Sequence, residues 1–336
     1  MAERDLKVGF IGSGYIAREH AAALRNITGI RVAACADADI SRAEELAGLT
    51  GCRPTTDIAE VIDASDAVWV CTPPKWHRAH VTACLEAGKH VYCEKPLATT
   101  LEDGRAIVAR ADASDALAAI GFNFRFHEPW QKCKSILESG ELGEPVMFLC
   151  QRIGAGATGG WRRDPKELCG MTIESVSHNV DLLRFVLGEV SEVSARLAAA
   201  DPSQPEFDNC LIADLRLRSG VIGGIQATWA SGLPATRHGV IGTAGALLIE
   251  GPSQFEFTVL RLSKRDQEEE QVYRFALPAN PLQGACQHFV ASVRNGAALR
   301  IPIRDGLRAL EVCTAMVRSA GLGGKVISLE ADSTET

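Results

Sequence analysis

No stretch of this sequence approaches the ~18 uninterrupted apolar residues that a membrane-spanning helix needs. No basic block is present either. Lys and Arg number 35 against 42 Asp and Glu, a net charge of −7. That balance argues against binding nucleic acid through its phosphates. The start, Met1-Ala2-Glu3-Arg4-Asp5, is charged and runs straight into a short apolar segment, so no secretory leader is expected. The 11 cysteines contain no C-x-x-C, and their number is odd and their spacing irregular. A disulfide framework or zinc ribbon would look different. Scattered single cysteines suit small buried positions in a reducing compartment, which points to the cytoplasm. His77 and His80 form an H-x-x-H, but no third ligand stands at metal spacing, so no metal is expected. Internal repeats, low-complexity tracts and flexible linkers are missing as well. With 46% hydrophobic residues the chain belongs among globular proteins, and 336 residues suggest two domains at about 150 residues each.

The first part alternates between short apolar runs and helical patterns. Leu6–Ile11, Arg31–Ala36, Ala67–Cys71, His90–Cys93 and Leu117–Gly121 read as buried strands. Tyr15–Arg25, Ser41–Ala47, Trp76–Ala87 and Leu101–Arg110 read as helices between them. Such alternation predicts an α/β, doubly wound parallel sheet covered on both faces. The second part reads as α+β. Helices are expected over Pro129–Glu138 and Met171–Leu187, and period-two alternation follows from about 190 to 276. Ser219-Gly220 and Gly242-Thr243-Ala244-Gly245 look like hairpin turns, so this sheet is mainly antiparallel. A last helix spans Asp305–Ala320. The change of pattern sets the boundary: 1–124 for a dinucleotide-binding domain and 125–336 for a substrate-binding and oligomerisation domain.

Gly12-x-Gly14-x-x-Ala17 follows a strand and opens a helix. Gly12 allows the tight turn, Gly14 lets a pyrophosphate approach the backbone, and Ala17 lets helix and strand pack closely. The helix start, Ser13 to Ile16 with Tyr15, offers unpaired N–H groups and the positive end of a dipole. Asp37 lies twenty residues past Ala17, where a carboxylate accepts from a ribose diol and repels a 2′-phosphate. NAD is therefore favoured over NADP, although Arg42 nearby keeps NADP open. Thr72, Pro73 and His77 follow the Ala67–Cys71 strand, and Glu94-Lys95-Pro96 follows the His90–Cys93 strand. Both lie at the carboxyl edge where open α/β sheets bind ligands, so Thr72, Pro73, His77, Glu94 and Lys95 join the expected coenzyme site. Proline after Lys95 makes a rigid, extended turn that fixes where the lysine points; otherwise Lys95 is a surface residue paired with Glu94.

Glu174, His178 and Asp181 stand at i, i+4 and i+7, one face of the expected helix, flanking an apolar stripe of Ile173, Val176, Val180, Leu183 and Leu187. This row either lines a cleft or forms a solvated rim with a Glu–His pair. Asn123, Arg125, Trp161, Arg162 and Arg163 are substrate candidates, because arginine suits carboxylate or phosphate and tryptophan the apolar face of a sugar. They are equally readable as rim or interface residues.

The stretches Val8–Ala17, Cys71–His77 and Ala87–Leu97 together resemble the glucose–fructose oxidoreductase/inositol dehydrogenase/MocA family of NAD(P)-dependent oxidoreductases. So do Asn123-x-Arg125, Gly140–Pro145, Trp161–Asp164 and Glu174-x-x-x-His178-x-x-Asp181. The resemblance implies a Rossmann domain joined to a domain with a large open sheet, which commonly mediates homodimers or homotetramers. It implies a catalytic Lys95 before a proline that is often cis. It also implies a sugar, cyclitol or derivative as substrate. Where the family usually carries Asp four residues before the histidine, this chain carries Glu174. Its glycine-rich run is reduced to Cys169-Gly170-Met171-Thr172.

The expected reaction moves hydride from a secondary alcohol carbon to the nicotinamide, while a protein base takes the hydroxyl proton. An imidazole titrates near 6.5 and serves without adjustment; a lysine starts near 10.4 and would need lowering by about three units. His178 is thus the expected proton acceptor. Lys95 is the electrostatic partner and proton relay, with Glu174 or Asp181 orienting the imidazole. Exchange of the Lys95 and His178 roles is the variant of this scheme. The alternatives are a glycosidase that retains NAD and oxidises only transiently, and a non-catalytic NAD-dependent sensor.

Overall fold

The computed structural model describes residues 5–156, 167, 169–200, 207–253 and 255–330. The chain forms two compact units: Met1–Asn123 with Ala279–Leu310, and Phe124–Pro278 with Glu311–Thr336. The division at 124/125 read from the sequence omits one feature. The chain returns, and residues 279–310 complete the first unit.

Six strands form the first unit's sheet: β1 (Leu6–Ile11), β2 (Ile30–Ala36), β3 (Arg53–Thr55), β4 (Ala67–Val70), β5 (His90–Cys93) and β6 (Ala118–Ile120). Their order is β3-β2-β1-β4-β5-β6, and every pair is parallel. Buried runs such as Ala67-Val-Trp-Val70 need cover on both faces. Helices α1 (Tyr15–Arg25), α2 (Ile40–Thr50), α3 (Ile58–Ala64), α4 (His77–Glu86) and α5 (Leu101–Asp112) cross between the strands. Asp39, Asp57 and Thr100 cap α2, α3 and α5 by accepting from backbone N–H groups two or three residues on. The returning helix Gln283–Asn295 sets the Phe289 ring edge-on to Trp69 and Tyr92, with centroids 5.2 and 5.6 Å away. The strand order reverses between β1 and β4, which opens a crevice at their carboxyl ends.

The second unit carries a nine-stranded sheet. Its strands are β7 (Pro145–Ala155), β8 (Val190–Ala198), β9 (Cys210–Leu217), β10 (Ile222–Thr228), β11 (Ala230–Gly242), β12 (Gly245–Gly251), β13 (Val259–Lys264), β14 (Gln271–Arg274) and β15 (Ile327–Ser328). The order is β14-β13-β12-β11-β7-β10-β9-β8-β15. Neighbours are antiparallel except β7 and β10, which run parallel. In β9, Leu211, Ala213, Leu215 and Leu217 are buried while Ile212, Asp214 and Arg216 face water, the alternation of a half-wet sheet. Gly220 turns the chain from β9 into β10 at φ +92°, a conformation that favours glycine. Helix α6 (Glu128–Glu138) contributes Trp130, Cys133 and Ile136 to the core, against Val240, Ile249 and Leu260 of the sheet.

The single helix expected over 171–187 is broken into α7 (Gly170–Glu174) and α8 (Ser177–Leu187). At the break, Val176 N–H donates to the carbonyl of Met171, five residues back. The Ser175 carbonyl accepts from Arg152 Nη1 at 2.6 Å, and Ser177 Oγ donates to the Glu174 carbonyl. Side chains thus take backbone acceptors that an unbroken helix would use. The long helix Ile303–Gly321 is shared, its residues through Leu310 belonging to the first unit and those from Glu311 to the second. Among the described residues no helix is long and apolar enough to cross a membrane.

Candidate active site

In the first unit, Gly12 ends β1 at φ +88°. A Cβ there would lie 2.7 Å from the Cys71 carbonyl carbon and 2.8 Å from the Thr72 nitrogen, so the turn closes only on glycine. Gly14 is the N-cap of α1, with no side chain capping the helix, and a Cβ on it would meet nothing within 4 Å. The uncapped helix end is therefore open to an anion. Ser13 is buried and Tyr15 exposed beside it. Asp37 follows β2 and is tied to this turn: its Oδ2 accepts from Ser13 N–H at 2.9 Å and its Oδ1 from Asp39 N–H at 3.1 Å. Arg42 sits on the exposed side, 3.6 Å from the Asp39 carboxylate.

At the carboxyl end of β5 the Lys95–Pro96 peptide is cis. Glu94 is turned inward. Its Oε1 lies 2.7 Å from His20 Nε2 of α1, and its Oε2 accepts from Lys95 N–H at 3.1 Å. His20 Nδ1 faces Cys286 Sγ at 3.3 Å. Burial alone would lower the His20 pKa, but Cys286 and the Glu94 carboxylate oppose it and raise it to about 10. His77 is also buried. Its Nε2 lies 2.8 Å from the Thr72 carbonyl, and its Nδ1 lies 3.0 and 3.2 Å from the carbonyls of Pro96 and Leu97. This ring bolts the Thr72-Pro73 corner to the Lys95-Pro96 corner. Two residues expected at the coenzyme thus have their polar atoms engaged within the protein, Glu94 by His20 and the Lys95 N–H, and His77 by backbone carbonyls. His80 Nδ1 lies 3.0 Å from Thr72 Oγ1, so both histidines of the H-x-x-H converge on Thr72. Asn123 donates to the Pro281 carbonyl at 3.3 Å.

In the second unit the row Glu174, His178 and Asp181 is no solvated rim. The three are 4%, 6% and 1% exposed. The His178 ring stacks on Phe124, centroids 4.5 Å apart. Arg125 Nε reaches both Asp181 oxygens, at 3.1 and 2.9 Å, and Nη2 adds a further bond. Arg125, expected to bind substrate, and Asp181, expected to orient the imidazole, are bound to each other. Trp161, Arg162 and Arg163 lie outside the described residues.

Sequence reasoning passed over three polar residues here. Arg152 of β7 is 3% exposed, and its Nη1 donates to the Ser175 carbonyl and, at 3.2 Å, to Asn179 Oδ1. Asn179 Nδ2 donates to His238 Nε2 at 2.9 Å. Burial, and then the Arg152 charge, push the His238 pKa down to about 3, so its ring is neutral and its Nε2 accepts. The available signal was parity: Phe148, Cys150 and Arg152 occupy the inward positions of one strand.

Two family models match, the oxidoreductase family with NAD-binding Rossmann fold over residues 6–122 and the GFO/IDH/MocA C-terminal domain over residues 130–248. Inositol 2-dehydrogenase of Rhodococcus erythropolis is 30% identical over 342 residues, spanning 96% of this chain and 95% of that protein. The chain belongs to the GFO/IDH/MocA family. Inositol 2-dehydrogenase 4 of Saccharopolyspora erythraea is 35% identical over 233 residues, 67% of this chain and 68% of that protein. A crystal structure of a putative myo-inositol dehydrogenase from Sinorhizobium meliloti superposes with a TM-score of 0.82 at 26% identity, covering 97% of this chain and 100% of that one. As a GFO/IDH/MocA member the protein is an oxidoreductase acting on CH–OH groups, and NAD is its coenzyme. The residues fit that coenzyme. The Gly12 turn and the open end of α1 suit a pyrophosphate, and the Asp37 carboxylate suits a ribose diol. The NAD-retaining glycosidase reading gains no support from these GFO/IDH/MocA relatives.

Proposed function

We propose that the protein oxidises, or in reverse forms, a secondary alcohol carbon of a sugar, cyclitol or sugar derivative, using Lys95 and His178. The observation that carries this reading is the fixing of Lys95 at the sheet's carboxyl edge. Glu94 holds its backbone N–H, His20 holds Glu94, and His77 holds the carbonyls of the next two residues. A lysine on so rigid a corner delivers its charge to one place. The named relatives, inositol 2-dehydrogenases, support a polyhydroxylated substrate.

NAD, when bound, supplies the hydride acceptor. His178 takes the hydroxyl proton, and the Lys95 ammonium stabilises the negative charge growing on the alcohol oxygen and relays the proton. With Asp181 held by Arg125, Glu174 is left to orient the imidazole. Tyr15 and Ile16 present backbone N–H groups to the pyrophosphate, Ser13 ties the turn to Asp37, and Thr72 and Pro73 form the neighbouring corner. We also assign the wet face of the large sheet to a homodimer or homotetramer, because Met147, Leu149, Ile212 and Ile222 expose apolar side chains there.

Lys95→Met and His178→Ala should each slow hydride transfer by about a hundredfold or more while NAD affinity stays within a few-fold. Single-turnover absorbance of NADH over a panel of polyols and sugars measures this. Near-normal rates in both variants would end the assignment.

A further inference from the structure

Four arginines of the second unit form two groups. Arg125, Arg184 and Arg237 each present the Nε/Nη2 edge of the guanidinium to a carboxylate: Asp181, Glu189 and Glu250 respectively. That edge carries two parallel N–H bonds and matches the two oxygens of a carboxylate. Arg152 is more buried than Arg237, and its Nε and Nη2 are buried with no hydrogen-bond partner among the described residues. Only its Nη1 is used, by the Ser175 carbonyl and Asn179 Oδ1.

The guanidinium is otherwise firmly held. The Phe255 ring lies against it, with Cζ 4.7 Å from the centroid. Asn179 is fixed in turn by His238 Nε2 and Cys150 Sγ. Burial pulls the Arg152 pKa down to about 10, which leaves it charged at neutral pH. A rigid, charged, buried edge with no carboxylate hydrogen-bonded to it among the described residues is costly to fold even with the Glu174 charge nearby, and it suits an anion. The Ser175 carbonyl that Arg152 grips also accepts from His178 N–H at 3.3 Å, so the edge belongs to the same helix break as the proposed base.

We propose that the Nε/Nη2 edge of Arg152 binds a carboxylate of the substrate, so that the substrate is a polyhydroxylated acid such as a uronate or an aldonate. This refines the dehydrogenase reading and rests on it for the word substrate. A carboxylate fits better than a phosphate dianion, because one guanidinium is present and Glu174 is near enough for Arg152 to feel its negative charge.

The test uses the NAD-loaded protein. Binding of galacturonate and gluconate is measured by calorimetry or thermal shift against myo-inositol, glucose and glucose 6-phosphate, and NADH formation is followed with the same compounds. The acids should bind at least tenfold more tightly than the neutral compounds and the phosphate. Arg152→Met should abolish that preference, lowering acid affinity by about a hundredfold. Arg152→Lys, which keeps charge but not the two-pronged edge, should recover part of it. Equal or tighter binding of the neutral polyols, or tighter binding of the phosphate, overturns the inference even if those compounds are oxidised. So does acid binding that survives Arg152→Met. Should Arg152→Met fail to fold, the wild-type preference and Arg152→Lys decide. Acid binding that depends on Arg152 without NADH formation from any compound would leave the carboxylate site standing and remove the dehydrogenase reading.

Discussion

His20 in the first unit and His238 in the second are both buried, and burial disfavours a charged imidazole at either place. Their surroundings then diverge. His20 faces the Glu94 carboxylate at 2.7 Å and Cys286 Sγ at 3.3 Å, and its pKa rises to about 10. His238 faces an amide donor from Asn179 and lies near the Arg152 guanidinium, and its pKa falls to about 3. The first unit buries its charge as a closed pair that locks the corner carrying Lys95. The second buries a neutral ring that locks an amide, which in turn locks a guanidinium with one edge unused. Burial sets the cost in both places, and the partner decides which protonation state meets it.

The largest effect should come from opening the closed pair. Cys286 stays in place, but Glu94→Gln removes the carboxylate and with it part of what holds the proton on His20 against burial. We expect a loss of about 3 kcal/mol at pH 7 by denaturant unfolding. A raised histidine pKa means the folded state holds the extra proton. Its contribution is complete below about 6.5 and fades as pH climbs through about 10. Wild type and Glu94→Gln should therefore converge in stability on the alkaline side. A constant gap from pH 7 to 10 would show that the carboxylate acts without the imidazolium.

The second effect has the opposite sense. With the folded His238 pKa near 3, the unfolded chain binds the proton first as pH falls below about 6.5. Stability should drop by about 2 kcal/mol at pH 5 from this group. His238→Gln, which can still accept from Asn179 but does not titrate, should flatten that part of the acid limb. His80, lowered to about 4 by burial and the nearby His77, adds a similar slope that the variant leaves in place. Parallel acid limbs for wild type and His238→Gln would mean that His238 is charged in the folded state.

The two regions were also unequally legible in the sequence. The first sheet follows from unbroken apolar runs such as Ala67–Val70 between glycine-ended helices, and the Gly12 turn is a local signal. The His20–Glu94–Cys286 cluster is different, because Cys286 is 266 residues from His20 and arrives on a helix that the pattern did not reveal. In the second unit the hairpins around Gly220 and Gly242 were readable from their turns. Strand β7 was not, since an arginine at an inward position hides its alternation. The break at Ser175–Val176 escaped too, for a different reason. Its cause, the Arg152 bond to the Ser175 carbonyl, joins residues 23 apart in sequence. Periodicity reports which face is buried, and it is silent on which buried polar group finds which partner.

The smallest effect tests whether the open edge is structural or functional. If Arg152 were a strut like the Glu94–His20 pair, Arg152→Met would cost about 3 kcal/mol or more. If its Nε/Nη2 edge waits for a ligand, the substitution removes a buried charge that Glu174 compensates only in part. It also forfeits the bonds to Ser175 and Asn179, and the two changes offset each other. The expected change in unfolding free energy, without any acid present, is within about 1 kcal/mol. Adding gluconate should then stabilise wild type and leave Arg152→Met unmoved, because a ligand that binds only the folded state raises its stability in proportion to occupancy. A large loss without ligand would make the second unit's charge as structural as the first's and erase the contrast between them.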